Sequence, residues 1–168
     1  MKVLSSIGEM NKFINSRKVV VVYFGVIGGR EAALFTGVAR EMDGDYFAMT
    51  ADKGCINEYG VKIPGLVIFK KFDDKRNDFK GVFTKKEIIA FIDKKRVPSL
   101  MPFDNEVLEL IFKRNMPILT IFRREGTHHE EEVYKGVELV KNNIITSYAD
   151  LTSEANRRLA EYFGLTEK

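Results

Sequence analysis

One stretch constrains the fold more than any other: Lys18–Phe35, with the sequence KVVVVYFGVIGGREAALF. After the lysine, its first half is β-branched or aromatic throughout, which is typical of a strand buried on both faces of a parallel or mixed sheet. Gly25, Gly28 and Gly29 then interrupt it, and apolar residues recur at helical spacing from Arg30 onward. The stretch therefore predicts a central strand, a tight turn and a helix.

Two capping boxes predict where flanking helices begin. Ser6 with Glu9, and Thr84 with Glu87, each place a hydroxyl three residues before a carboxylate. The first of these helices is predicted to end near Ser16. Both sequences continue with apolar residues at helical spacing, so each helix would bury one face.

The segment between these helices predicts further strands. A buried strand is expected over Asp45–Lys53 and a short helical turn over Cys55–Tyr59. Leu66–Phe72 and Phe79–Phe83 are predicted to pair as an antiparallel hairpin across the charged segment DDKRND. The element order predicts one complete α/β unit that ends near Val97.

The pattern then restarts. At a nearly constant shift, Val20–Phe24 (VVVYF) aligns with Ile118–Phe122 (ILTIF), and Ala51–Asp52 aligns with Ala149–Asp150. A repeat of this size predicts two similar domains in tandem, one after the other.

The predicted domains are residues 1–97 and 98–168. Within the second, Asp104 is a candidate N-cap. The predicted strands there lie in Pro98–Phe103, Met116–Arg123 and Asn143–Asp150. The first predicted helix has Val107, Leu108, Ile111 and Phe112 inward, and the second, opened by a Thr127–Glu130 capping box, has Val133, Val137 and Val140 on one face. The third contains Leu159, Tyr162 and Phe163 and ends before Gly164. The hairpin and closing helix of the first domain have no counterpart. We therefore expect an excised fragment with a truncated second domain, whose exposed strand edge offers a contact for a dimer.

Three segments resemble a known family. Val61–Gly81 (VKIPGLVIFKKFDDKRNDFKG) resembles part of the non-catalytic b domain of protein disulfide isomerases. FDNEVLELIF and Ala155–Leu165 (ANRRLAEYFGL) resemble the start of the following b′ domain. The resemblance implies a thioredoxin-like α/β fold in tandem, with a mixed sheet flanked by helices. It also implies a parent protein in the lumen of the endoplasmic reticulum that assists oxidative protein folding and bears CxxC domains on either side.

This chain has no cysteine at the position where that family carries its catalytic cysteine. Catalytic thioredoxin domains place the attacking cysteine at the helix N-terminus after the central strand, where the helix dipole and free amides stabilise the thiolate. This chain has Val26–Glu31 (VIGGRE) and Arg123–His128 (RREGTH) at those places. Its single cysteine, Cys55, excludes a CxxC pair and an internal disulfide. We expect no catalytic residue in this chain, although the parent would be an isomerase.

The resemblance also implies a binding role. The b′ domain of the family holds a hydrophobic site for unfolded clients, and the positions expected to contribute to such a site here are Phe103, Leu108, Ile111 and Phe112. Helical spacing alone makes core positions the alternative interpretation. Pro64 matches the family's cis-proline, with a structural role. We expect a spacer that binds unfolded or misfolded clients, with other chaperones as further partners and with no cofactor.

Other site hypotheses are weaker. A thioredoxin-fold enzyme of the glutathione-dependent type would use Cys55 or the glycine turn, but a buried cysteine without a partner is the alternative. The turn lacks the G-x-G-x-x-G spacing of a dinucleotide site. His128 and His129 precede three glutamates, but neighbouring helix residues point about 100° apart, so no metal is expected.

Composition argues against two classes of partner. The 27 basic and 24 acidic residues are interspersed and leave a net charge of +3, which gives nucleic-acid binding little support. The basic clusters Lys94–Arg96, Arg123–Arg124 and Arg157–Arg158 are interpreted as solvated faces, with a partner surface as the alternative. No apolar run approaches the roughly 18 residues of a membrane span, and the N-terminus does not have the pattern of a signal peptide.

Overall fold

The computed structural model describes residues 1–42, 46–124, 130–140 and 143–165. It divides into two compact units, Met1–Val97 and Pro98–Lys168, called unit 1 and unit 2 below. No helix in these described ranges is long and apolar enough to cross a membrane.

Unit 1 contains a mixed sheet with helices around it. Its elements are β1 (Lys2–Val3), α1 (Ile7–Asn15), β2 (Val19–Phe24), α2 (Arg30–Glu41), β3 (Phe47–Thr50), α3 (Lys53–Glu58), β4 (Gly65–Lys70), β5 (Arg76–Asp78) and α4 (Lys85–Lys95). The strand order is β1-β3-β2-β4-β5. The first three strands are parallel, and β4 and β5 are antiparallel to their neighbours. The predicted mixed sheet flanked by helices is therefore confirmed.

The central strand β2 contributes side chains to both cores of unit 1. Val20, Val22 and Phe24 pack in one cluster with α1 and α3 residues, and Val21 and Tyr23 pack in the other with α2 and α4 residues. All five are almost completely buried. The prediction of a strand buried on both faces is correct, because helices cover both sides of the sheet.

One predicted strand is wrong. The partner of β4 is not Phe79–Phe83 but β5, which lies inside the DDKRND segment assigned to the turn. The chain reverses earlier than predicted because Asp73 and Lys75 adopt positive φ angles of 45° and 60°. The phenylalanines at either end of the predicted strand pack edge to face, with ring centroids 5.4 Å apart, against the α2 and α4 core.

The helix caps follow the sequence closely. The Ser6 hydroxyl accepts a hydrogen bond from the Glu9 amide at 3.3 Å, and Thr84 does the same for the Glu87 amide at 3.3 Å. The Glu9 carboxylate accepts a hydrogen bond from the amide of Ser5 at 2.8 Å. In the predicted capping box, the donor to Glu9 is instead the amide of Ser6. These bonds satisfy amides that the first helical turn leaves free.

Unit 2 repeats the first part of this order. Its elements are β6 (Met101–Pro102), α5 (Asn105–Arg114), β7 (Ile118–Arg123), α6 (Glu130–Val140), β8 (Ile145–Asp150) and α7 (Glu154–Tyr162). The parallel strand order β6-β8-β7 corresponds to β1-β3-β2. Within the described part of unit 2, no element corresponds to β4, β5 or α4. Thr127, the predicted cap in the Thr127–Glu130 capping box, lies outside the described residues.

The strand register refines the sequence alignment of the two units. Phe24 lies opposite Thr50 in unit 1, and Phe122 lies opposite Ala149 in unit 2. The alignment of Ala51–Asp52 with Ala149–Asp150 is therefore displaced by one residue in the structure.

Candidate functional site

The glycine turn after β2 presents aliphatic side chains. Val26 is 69% exposed and Ile27 is 42% exposed. Gly28 has a φ of 98°, a conformation that favours glycine. A Cβ atom at Gly25 would lie 2.5 Å from the hydroxyl oxygen of Tyr23, so only glycine fits there. The turn lies where catalytic thioredoxin domains carry their attacking cysteine, and it contains no cysteine.

Cys55 lies in the first turn of α3 and is completely buried. Its backbone amide donates to the Asp52 carboxylate at 2.8 Å. Burial raises the pKa of the Cys55 thiol, and a separate hydrogen bond between the thiol itself and Asp52 raises it further. Both effects disfavour the thiolate, which is the reactive form. The geometry supports the interpretation of Cys55 as a small core residue.

Pro64 lies at the same end of the sheet as the glycine turn. The Ile63–Pro64 peptide bond is cis. Gly65, the next residue, lies opposite Phe24 in the antiparallel pair of β4 and β2. Ile63 is 54% exposed, so this end of the sheet carries a third exposed aliphatic side chain beside those of the turn. It offers apolar contact.

The residues expected to bind clients lie on and just before α5. The Asp104 carboxylate accepts from the Val107 amide at 3.2 Å, which confirms the predicted N-cap. Val107 is fully buried, whereas Leu108 is 38% exposed and Phe112 is 84% exposed. The prediction that these residues all face inward is therefore wrong for Leu108 and Phe112. The reason is that no strand corresponding to β4 packs beneath α5 in the described part of unit 2.

Phe103 and Ile111 complete the predicted set. Both are partly buried. The Phe103 amide donates to the Tyr148 carbonyl at 2.7 Å, which extends the pairing of β6 with β8. Phe103 and Leu108 occupy the two positions of a hydrophobic staple around the cap. Leu108, Ile111 and Phe112 share one helix face by their spacing.

Sequence reasoning missed an aromatic group at the end of α7. Tyr162 is 85% exposed, Phe163 62% and Leu165 52%. The Phe163 ring lies 5.5 Å from that of Tyr162 and 6.4 Å from that of Phe122 in β7. The sequence places Tyr162 and Phe163 next to each other, and neighbouring helix positions point about 100° apart.

An ion pair occupies the carboxyl ends of β7 and β8. The Arg123 guanidinium pairs with both carboxylate oxygens of Asp150, and its Nη2 lies 3.2 Å from Oδ2. The guanidinium also lies over the Tyr148 ring, 3.8 Å from its centroid. The hydrogen bonds from Arg123 lower the pKa of Asp150. The pair fixes the end of the sheet and supplies no nucleophile.

The histidine hypothesis concerns a segment that the structure does not describe. His128 and His129 both lie outside the described residues. Within the described ranges, no group of three or more His, Cys, Asp or Glu side chains could hold a metal ion.

Comparisons with known proteins define the class. The profile of the thioredoxin-like domain family matches residues 28–168, so the chain belongs to that family. Protein disulfide-isomerase from Drosophila melanogaster is 27% identical over 99% of this chain, and that from Oryctolagus cuniculus is 28% identical over 98%. The chain covers only 35% and 34% of those proteins, about a third of their length.

Solved structures show the same fold. The bb fragment of ERp72 superposes with a TM-score of 0.65 at 14% identity, over 99% of this chain and 80% of that one. Human ERp44 form II superposes with a TM-score of 0.60 at 17% identity, over 95% of this chain and 46% of that one. With only one cysteine, the chain fits the non-catalytic domains of the protein disulfide isomerases that it resembles.

Proposed function

We propose that this chain is a non-catalytic segment of a protein disulfide isomerase, which spaces redox domains and holds unfolded client proteins. The observation that carries the proposal is the exposed apolar surface of α5, where Phe112 is 84% exposed. The similarity to protein disulfide-isomerases along nearly the whole chain supports the family assignment of this role. The same similarity supports residence in the lumen of the endoplasmic reticulum.

The proposed mechanism is hydrophobic capture. Apolar client side chains replace water on the α5 surface, and burial contributes about 25 cal/mol per Å² of apolar area. This term is non-directional, so it discriminates little between client sequences. Such a surface suits transient binding of many unfolded chains and of partner chaperones.

Unit 1 has the properties of a spacer. Its two cores enclose the central strand on both faces, and its cysteine is completely buried. A closed unit of this kind keeps a fixed length between the domains attached to it. The buried, high-pKa thiol of Cys55 also argues against the glutathione-dependent alternative.

The test is binding of a labelled, cysteine-free unfolded peptide to the 168-residue chain. Phe112→Ser is expected to weaken binding by about tenfold or more, because burial of one phenylalanine contributes about 1.5–3 kcal/mol. Leu139→Ser is the matched control, since Leu139 on α6 is also 84% exposed. It is expected to leave the affinity unchanged.

Two outcomes would contradict the proposal. Equal loss of affinity in both variants would mean that binding is not localised to α5. Absence of saturable binding to the folded wild-type chain would remove the client-binding role and leave only the spacer.

A further inference from the structure

The overall charge of +3 conceals a difference between the two units. Residues 1–97 contain 18 basic and 12 acidic residues, whereas residues 98–168 contain 9 basic and 12 acidic residues. Unit 1 is therefore a cationic domain, and its electrostatic field attracts acidic partners and repels basic ones. Such a domain concentrates acidic chains at whichever part of its surface can hold them.

A groove of about 370 Å³ lies between β1 and α1 in unit 1. Lys2, Val3 and Leu4 line it from β1, and Glu9, Lys12 and Phe13 line it from one face of α1. β1 is the outer strand of its sheet, and β6 has the same outer place in the sheet of unit 2. The internal repeat therefore assigns no further strand to this position. The volume is within the range of protein sites that hold a small ligand or a side chain.

The floor of the groove is apolar. Leu4 and Phe13 are each 5% exposed and belong to the core cluster beneath α1, whereas Val3 is 60% exposed. An apolar side chain that enters the groove displaces water from Val3, which is favourable in proportion to the apolar area buried. Phe13 offers no ring face on which a nucleic-acid base could stack.

The rim of the groove is positively charged. Lys2 and Lys12 are exposed, and neither forms an ion pair within the described part of the chain. Glu9 is the acidic residue in the lining, and its carboxylate accepts hydrogen bonds from the amide and the hydroxyl of Ser5 at 2.8 and 3.0 Å. Glu9 is thus already bonded, and the two lysines give the groove a net positive charge.

Further ammonium groups lie beyond the end of α1. The Lys71 Nζ donates to the Asn15 carbonyl at 2.8 Å, and the Lys71 amide donates to the Lys18 carbonyl at 2.9 Å. Both lysines are exposed, and neither pairs with a carboxylate in the ranges that the structure describes. The nearby Asp73 carboxylate is almost completely buried and pairs with Lys70 at 3.8 Å. The positive charge therefore continues from the groove past the C-terminal end of α1.

We propose that the groove between β1 and α1 binds an acidic polypeptide segment, with an apolar side chain against Val3 and carboxylates beside Lys2 and Lys12. The partner is a protein with a run of aspartate and glutamate around a bulky apolar residue. Charge selects this partner, whereas the client surface on α5 selects apolar chains whatever their charge. An uncharged client therefore does not occupy the groove.

The test uses the full 168-residue chain and the fluorescently labelled peptide EDELDEDE. A second peptide, QNQLNQNQ, replaces each carboxylate by an amide and keeps the leucine. A third, EDESDEDE, keeps the carboxylates and replaces the leucine by serine. Affinity is measured by fluorescence anisotropy at about 0.05 M salt, where exposed charges are only weakly screened.

EDELDEDE is expected to bind saturably and to shift the amide NMR signals of Val3, Lys12 and Phe13. QNQLNQNQ is expected to bind at least about tenfold more weakly, because it lacks the charges that the lysines attract. EDESDEDE is also expected to bind about tenfold more weakly, because no apolar side chain enters the groove.

Two pairs of substitutions locate the site. Lys2→Gln with Lys12→Gln is expected to weaken binding of EDELDEDE about fivefold, as for two exposed ion pairs. Lys86→Gln with Lys94→Gln is the matched control, because both lysines are exposed on α4, on the other face of the sheet. It changes the net charge by the same amount and is expected to weaken binding less than about twofold.

The other outcomes overturn the proposal. Equal weakening by both pairs of substitutions would mean attraction to unit 1 as a whole and not to the groove. Equal affinity for EDELDEDE and QNQLNQNQ would remove the role of charge, and tighter binding of an oligonucleotide of the same charge would assign the surface to nucleic acid. Absence of saturable binding of EDELDEDE to the folded chain would remove the site. None of these results alters the client test on α5, which uses a different peptide and different variants.

Discussion

The strands β2 and β7 occupy the same place in the internal repeat but have different burial. Val20 to Phe24 of β2 are buried, whereas every residue of β7 is partly or fully exposed. The helices before them differ in the same way: Met10 is 0% exposed, and Leu108, four residues after the equivalent cap, is 38% exposed. Local sequence sets the same elements in both units. Burial depends on which further strands and helices pack against them.

The comparison also separates two kinds of surface. The carboxyl end of β2 in unit 1 leads into a glycine turn with aliphatic side chains, above a closed core. The corresponding end of β7 in unit 2 carries the Arg123–Asp150 ion pair, and apolar residues are exposed on α5 and α7. We therefore propose unit 1 as the spacer and unit 2 as the part that binds clients.

The largest expected difference between the units is in thiol reactivity. Native Cys55 should react with a thiol reagent on the order of a thousandfold more slowly than in the unfolded chain, because unit 1 must open first. The matched exposed thiol is Phe112→Cys in a Cys55→Ser background, which should react without delay. Reaction is followed by absorbance of the released thiolate. Immediate reaction of native Cys55 would contradict the closed core of unit 1.

A matched pair of core substitutions should give the next largest effect. Phe24→Ala is expected to destabilise unit 1 by about 3–5 kcal/mol, because it empties a completely buried site. Phe122→Ala, at the equivalent position, should cost unit 2 less than about 1.5 kcal/mol, because its side chain is already partly exposed. Urea unfolding is followed by NMR signals assigned to each unit. Equal losses would show that β7 is as well enclosed as β2.

The smallest expected difference is in pH dependence. Arg123 lowers the pKa of Asp150 in the folded state. The contribution of Asp150 to the stability of unit 2 is therefore complete above the unfolded pKa of about 3.9. It is lost as the pH falls through the lower folded pKa. An exposed pair of this kind contributes less than about 1 kcal/mol. Hydrogen exchange in unit 2 measures the loss.

Asp150→Asn is the control for this pH effect. The variant should remove the part of the dependence that arises from Asp150 and leave unit 1 unchanged. An unaltered pH profile in the variant would show that the ion pair does not stabilise unit 2.

Local chemistry made much of the fold predictable. The stretch Lys18–Phe35 predicts its strand, turn and helix because β-branched residues, glycines and helical spacing all act over a few residues. The cap at Asp104 is predictable for the same reason. β5 is not, because Lys75 adopts a positive φ angle of 60°, which lysine rarely does.

The candidate site was only partly predictable. The absence of a cysteine in the glycine turn is read directly from the sequence. The exposure of Leu108 and Phe112 is not, because helical spacing shows that they share a face but not whether a strand packs against it. That depends on which strands pair beside β7, which is a property of the tertiary structure.

The central claim is that unit 2, and not the glycine turn of unit 1, binds unfolded polypeptide. The most direct measurement is the change in backbone amide NMR shifts when a cysteine-free unfolded peptide is titrated into the chain. We expect the changes to be confined to α5, β7 and the end of α7, with Phe112, Phe122 and Phe163 among the largest. Changes centred on Val26, Ile27 and Ile63, with unit 2 unaffected, would contradict it.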